Sequence, residues 1–206
     1  MMIKRVHRGA CSLLTLALLA GCASGPGIPE TVYYRLPAQP EVRTATSTLD
    51  APLVIDAFYA DGVHSDISLL YSTDPEGDRL RAYHYQLWLD PPTRMLQRRL
   101  IRTLDTAAIA PKVLETLPAS TQHYRLLTRI EAFERIKRDE GWVVRASLNI
   151  RLSRSGGELP LLLRDYRREV PADGVSVRDS VRALGNAVDS IYAELIGDIE
   201  KLQQRG

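Results

Sequence analysis

Thiols are almost missing from this chain: Cys11 and Cys22 are its two cysteines, and both fall within the first 22 of 206 residues. Nothing beyond Cys22 can form a disulfide or act as a thiol nucleophile. The sequence also has no Gly-x-Ser-x-Gly elbow, no glycine-rich phosphate loop and no His-Glu-x-x-His, which removes the common hydrolase, nucleotide and metalloprotease signatures. Long apolar runs are scarce. The one candidate, Ala10 to Ala20, is interrupted by Cys11, Ser12 and Thr15 and falls short of the roughly 20 apolar residues that a membrane span needs. Charge of one sign is lacking as well, with 27 basic residues against 25 acidic ones. That balance argues against nucleic acid, which wants a basic surface.

What is present at the amino end is ordered. Lys4, Arg5 and Arg8 precede the apolar run, and no acid occurs before Glu30. A basic start, a short apolar core and small residues before a cut make a secretory signal, here residues 1–21. The run closes on Leu19-Ala20-Gly21-Cys22, which resembles the lipobox of bacterial lipoproteins. The resemblance implies cleavage before Cys22, lipidation of its thiol and a durable tether, since two or more acyl chains anchor stably. The residue after the cysteine is Ala23 rather than the aspartate that retains enterobacterial lipoproteins in the inner membrane, so the expectation is the outer membrane. Cleavage also removes three basic residues, taking 27 to 24 against 25 acidic, and leaves 185 residues for one domain with its own core.

Residues 22–30 read as the lipidated cysteine and a Pro/Gly-rich flexible tether, and 31–206 as a single domain. Strands are expected at 31–36, 53–59, 67–71, 81–89, 124–137, 142–153 and 159–170, with a loop over 37–50 and a turn at 74–78. Within 81–89, Tyr83, Tyr85, Leu87 and Leu89 alternate onto one face. The last three strands, joined by Arg138-Asp-Glu-Gly141 and Arg154-Ser-Gly-Gly157, predict an antiparallel meander. Pro91-Pro92 introduces a helix over 93–108, with Leu96, Leu100, Ile101, Leu104, Ala107 and Ala108 on one arc and Arg94, Arg98, Arg99, Arg102 and Asp105 opposite. The final helix carries an uninterrupted stripe: Val177, Val181, Leu184, Val188, Ile191, Tyr192, Leu195, Ile199 and Leu202. Ser176 and Asp179 predict its cap, and Gly185 and Gly197 each weaken it by about 1 kcal/mol relative to alanine. The fold class expected is α+β, an antiparallel-rich sheet packed by two amphipathic helices, one at the C-terminus.

Few constellations carry chemistry. Asp61-Gly-Val-His-Ser-Asp66 groups a histidine with two carboxylates, as a metal site would, or is simply a polar turn; no second cluster at ligand spacing exists, so no metal and no cofactor are expected. Asp74, Glu76 and Asp78 begin like a calcium loop, but Arg79 and Tyr85 stand where it needs Gly and Glu. His84 and His123 read as sheet residues rather than general bases. No nucleophile, base and orienter set is found, and the chain is expected not to be an enzyme. The basic helix face of Arg94, Arg98, Arg99 and Arg102 reads as solvated, or as a contact for an acidic partner or anionic headgroups. Tyr33, Tyr34 and Trp88 read as core, or as a partner contact. Arg94, Arg98, Arg102, Tyr33 and Tyr34 are therefore the candidate partner-binding residues.

The features also come in a distinctive order. After the lipobox follow Tyr33-Tyr34-Arg35-Leu36, the strand near Leu53 to Tyr59, Arg81-Ala-Tyr-His-Tyr-Gln-Leu-Trp88, the Pro91-Pro92 break, a helix opening on Met95-Leu96, and Tyr124-Arg-Leu-Leu-Thr-Arg-Ile-Glu-Ala-Phe133. This set, spanning about residues 31–200, resembles the ABC-type transport auxiliary lipoproteins, the PqiC-like family. Trp88-Leu89 departs from the family's usual Trp-Ala. The resemblance implies a noncatalytic lipoprotein on the outer membrane, facing the periplasm. Its implied partners are a carrier protein of the mammalian-cell-entry (MCE) type and that carrier's ABC transporter, which move lipids or other apolar molecules between the two membranes; a homo-oligomer is compatible with that role. Only Cys22 carries over as a site residue. Two competing readings are a lipoprotein that itself holds an apolar ligand in a groove between sheet and helices, and a periplasmic hydrolase.

Overall fold

Alternating apolar side chains make the two longest strands. In a computed structural model that describes residues 29–118, 121–157 and 159–204, β7 (Tyr124–Arg138) and β8 (Gly141–Arg154) form a hairpin, and β9 (Leu162–Pro171) adds antiparallel to β8. The expected meander is therefore there, and Gly141 at φ +144° supplies the left-handed turn residue. The signal, Cys22 and most of the tether (residues 1–28) lie outside the described residues. Tyr124, Leu126, Thr128 and Ile130 of β7 point into the core. A register shift between Ile130 and Ala132 then inserts Glu131 as an extra residue, so the inward positions change from even to odd. Phe133 and Arg135 face inward after it, while Glu134 turns to the outer face beside Arg145.

The other edge of β7 receives three short strands in succession, all parallel: β2 (Leu53–Ile55), β3 (Tyr59–Ala60) and β4 (Ser68–Ser72). β6 (Val113–Leu114) lies beyond β2, and β5 (Arg81–Trp88) and β1 (Val32–Tyr34) lie beyond β4. Long antiparallel pairings thus share the sheet with short parallel ones, which qualifies the antiparallel-rich expectation: the α+β sheet is mixed. The single strand expected at 53–59 divides in two. At the break the Asp56 N–H still donates to the Leu126 carbonyl (3.0 Å) while its carboxylate turns out to accept from Arg125 (2.8 Å).

Two helices pack the inner face. α1 (Pro92–Thr106) places Pro92 in its first turn, where the missing N–H costs nothing. It buries Leu96, Leu100 and Leu104. α2 (Val177–Gln203) is closed by the expected capping box: Ser176 Oγ accepts from the Asp179 N–H at 3.1 Å, and the Ser176 N–H donates to Asp179 at 3.2 Å. Seven of its stripe residues, from Val181 to Ile199, are buried, and Val177 and Leu202 are half-buried. Each such aliphatic side chain contributes roughly 1.5–3 kcal/mol through burial. The Tyr192 hydroxyl donates to the Leu96 carbonyl at 2.9 Å and locks α2 to α1.

The loop expected at 37–50 is a strap laid over both helices. Ala45 and Leu49 donate to the carbonyls of Ala107 and Ile109 (2.8 Å each) just past α1. Arg43 grips Glu200 of α2 through two bonds (2.8 and 2.6 Å), and the Thr46 N–H adds a third at 2.6 Å. Gly185 permits the crossing, because a Cβ there would stand 2.8 Å from Pro37 Cγ.

Candidate functional site

The helix arc that carries the arginines does not behave as one face. Arg94 and Arg98 keep 60% and 49% of their side chains exposed, and Arg102 is exposed too. Arg99, assigned to the same solvated face on the helical wheel, is 3% exposed. Its Nε and Nη2 donate to the two carboxylate oxygens of Asp189 at 2.7 Å each, and its Nη1 donates to the Pro37 carbonyl at 2.8 Å. The reason is local. Strap and α2 come close enough on that side of α1 to cover the guanidinium and supply its acceptors.

Between the strap's start and α1 runs a groove of about 480 Å³, walled by Arg35, Leu36, Met95, Arg98 and Arg102 with Arg99 among its lining. Unlike Arg99, its exposed arginines Arg98 and Arg102 are only lightly committed, as is their neighbour Arg94. Arg98 reaches Asp90 at 3.4 Å, Arg94 reaches the same carboxylate at 3.9 Å, and Arg102 Nε donates to Gln39 at 3.2 Å. These are exposed pairs of small energetic value, so the groove keeps its positive character for an incoming acid.

The tyrosines meet the groove at one corner. The Leu89 N–H donates to the Tyr34 carbonyl at 2.8 Å, and Leu89 lines the groove. Tyr33 is not core: it is 59% exposed on β1, an edge strand paired to β5 alone. Tyr34 is half-buried, and its hydroxyl donates to Gln86 at 2.6 Å. Trp88 is core, fully covered and packed on Phe133. The alternation expected along 81–89 fails because the register between β5 and β4 slips between Ser68 and Leu70. Trp88 and Tyr83, an odd number apart, both turn toward the core, and Tyr85 and Leu89 are left exposed. Exposed Leu89 thus lines a basic groove, and exposed Tyr33 stands two residues before Arg35 of its wall.

The remaining polar clusters are structural. Gly62–Ser65 is a 3-10 turn between β3 and β4, as the polar-turn reading has it. His64 Nε2 lies 3.1 Å from Glu134, a buried carboxylate that also accepts the Phe133 N–H at 2.8 Å. Among the described residues no three histidine, cysteine or acidic groups gather as metal ligands. His84 is exposed, and His123 Nδ1 contacts the Thr121 carbonyl at 2.6 Å. The space between sheet and helices is filled by fully covered side chains such as Leu126, Leu148, Leu184 and Ile191. A larger open groove, about 700 Å³, lies on the opposite side of the sheet, where Val54, Arg125 and Ser153 stand in register.

Sequence reasoning missed the pairs Arg99–Asp189 and Arg43–Glu200 and the stacking of Arg135 on Trp142. The available signal was Asp189, Asp198 and Glu200 flanking the apolar stripe of α2. Asp198 accepts from the buried Tyr166 hydroxyl at 2.9 Å and from Arg164, and Glu194 binds Arg164 and Arg168, all from β9.

Among the described residues no helix is long and apolar enough to cross a membrane. No curated protein matches the chain. Its fold is shared with protein XCC0632 from Xanthomonas campestris, a DUF330 protein (TM-score 0.72, 18% identity, covering 84% of this chain and 98% of that one). It is shared also with an uncharacterized protein (TM-score 0.62, 15% identity, 83% and 99% covered) and more distantly with the hypothetical protein CT253 from Chlamydia trachomatis (TM-score 0.51, 8% identity, 74% and 96% covered). At these identities the likeness concerns the fold alone. A family model described as the ABC-type transport auxiliary lipoprotein component matches residues 34–195, which takes in α1, most of α2 and all but the first residues of the described sheet. That description names a transport accessory, not an enzyme family, and on this match the chain belongs to the ABC-type transport auxiliary lipoproteins.

Proposed function

We propose that this protein is an outer-membrane lipoprotein, anchored through Cys22 and facing the periplasm, that docks the MCE-type carrier of an ABC transport system moving lipids or other apolar molecules between the two membranes. The observation that carries the reading is the groove along α1. Arg98 and Arg102 are exposed and weakly paired there beside exposed Leu89, with exposed Arg94 on the same helix and exposed Tyr33 just before the groove wall, and the arrangement sits on a frame fixed by Arg99, Asp189 and the strap. Arginine and tyrosine are the residue types that carry binding energy at interfaces. A lipid tether raises local concentration, so a modest surface suffices. The test is affinity capture of the full lipoprotein from native membranes with mass spectrometry of what is retained. An MCE-type carrier should be recovered from wild-type cells and lost when Cys22→Ala prevents anchoring. If wild type retains no carrier, the docking role fails.

A second reading, carriage of an apolar ligand, would use the outer groove, whose lining includes Val54 and Leu127 beside Arg125 and Arg151. Lipid co-purifying with the protein would favour it.

A further inference from the structure

Among the described residues two arginines are buried, and they are treated differently. Arg99 is given both oxygens of Asp189. Arg135, 2% exposed, forms no ion pair among the described residues. Its Nη2 donates to the Val175 carbonyl at 2.9 Å, its Nε–H is enclosed without an acceptor, and its Nη1 makes no hydrogen bond among those residues. A buried cation left in this state costs several kcal/mol, so its surroundings call for an explanation.

Those surroundings are aromatic and positive. The guanidinium carbon lies 3.6 Å from the centre of the Trp142 ring. Tyr71 is its register partner on β4, so the two share a face, and Tyr71 stacks on Tyr83 with ring centres 4.2 Å apart. Tyr83 and Tyr34 are near enough to act on the charge. All four rings are half-buried, and Nη1 is the one guanidinium nitrogen of Arg135 that is neither hydrogen-bonded nor fully enclosed among the described residues. Val175 immediately precedes Ser176, the cap of α2, so the positive end of that helix adds to the field. Lys137 stands 5.9 Å from the Trp142 ring. The nearby acid, Asp179, is spent on Ser176 and Arg182.

We propose that Arg135, with Trp142, Tyr71, Tyr83 and Tyr34, is a socket for a carboxylate presented by the periplasmic protein partner. The inference rests on the docking reading and gives that partner a chemistry. A planar, singly charged group suits one guanidinium that lies over an aromatic ring with a donor to spare, and a charge-assisted hydrogen bond is among the stronger contacts an interface makes. Tryptophan, tyrosine and arginine around a desolvated centre are the composition of binding hot spots.

The test needs no partner, and its failure is therefore separable from failure of docking. The full lipoprotein in neutral detergent micelles is titrated with phenylacetate and with phenylacetamide, its uncharged counterpart, while tryptophan emission is followed. Trp88 is 1% exposed, which leaves Trp142 as the reporter. Phenylacetate should give a saturable change with affinity at least about tenfold above phenylacetamide, the ratio a single charge-assisted hydrogen bond supplies. Arg135→Met, a chemically apolar replacement of similar length, should erase that preference. Equal affinities would reduce the site to aromatic stickiness and overturn the proposal. So would the absence of any saturable change, or a saturable response to inorganic phosphate that phenylacetate does not share. The wild-type comparison decides the matter even if the variant fails to fold.

Discussion

Arg99 and Asp189 form a two-pronged clasp between α1 and α2, each bond 2.7 Å long. Because the arginine is buried, removing one member leaves the other charge stranded. Arg99→Met should therefore cost roughly 3–5 kcal/mol, and the double variant Arg99→Met/Asp189→Leu should recover most of the loss. Urea unfolding of the two variants checks this. A double variant no more stable than the single one would mean that the loss comes from the strap contact at Pro37 rather than from a stranded charge.

Gly185 and Gly197 stand twelve residues apart on α2 and should respond in opposite directions. Gly197 has open space where a Cβ would go, so Gly197→Ala should raise stability by up to about 1 kcal/mol. Gly185→Ala drives a methyl to 2.8 Å from Pro37 Cγ and should lower it. Thermal melts of both variants are the measurement, and a stabilised Gly185→Ala would show that the strap yields readily.

Reversing Arg98 and Arg102 to glutamate should change stability by no more than about 0.5 kcal/mol, because both side chains are solvated. Capture of the carrier should weaken, and more so at low salt, where exposed charges are less screened. Unchanged capture would move the contact off α1.

Glu200 is held at about 2, well below the usual glutamate range, first by its bonds to Arg43 and next by the Thr46 N–H. A carboxylate whose folded value lies below its unfolded one stabilises fully at neutral pH, and that contribution drains as pH falls from about 4 toward 2. Urea midpoints followed across that window should drop more steeply in wild type than in Glu200→Gln, which starts lower at pH 7. Parallel curves would remove the strap's pairing from the account.

Much of this was legible in the residues and some was not, for physical reasons. The α2 stripe, its Ser176–Asp179 cap and the turn at Gly141 are local patterns, and local patterns survive in a single sequence. The parallel pairing of β2, β3 and β4 on β7 joins segments far apart in the chain, and each short strand looks the same whichever neighbour it finds. The helical wheel gave Arg99 an angle but no neighbour; its fate was set by Asp189 and Pro37. Tyr33 was misread as core because an edge strand of three residues exposes one face that a central strand would cover. The α1 groove was half visible: Arg98 and Arg102 were named, while the wall formed by Arg35 and Leu36 depends on where the strap runs.

The three strands lined up along one edge of β7 also order events in time. Leu53 pairs with Tyr124, Tyr59 with Arg129 and Leu70 with Glu134, so much of the amino-terminal half has its template in residues made later. The β7–β8 hairpin closes locally and fast, whereas those parallel pairings must first close long loops. An emerging chain consequently stays open until residue 154 is free, then gathers its earlier strands onto the finished hairpin.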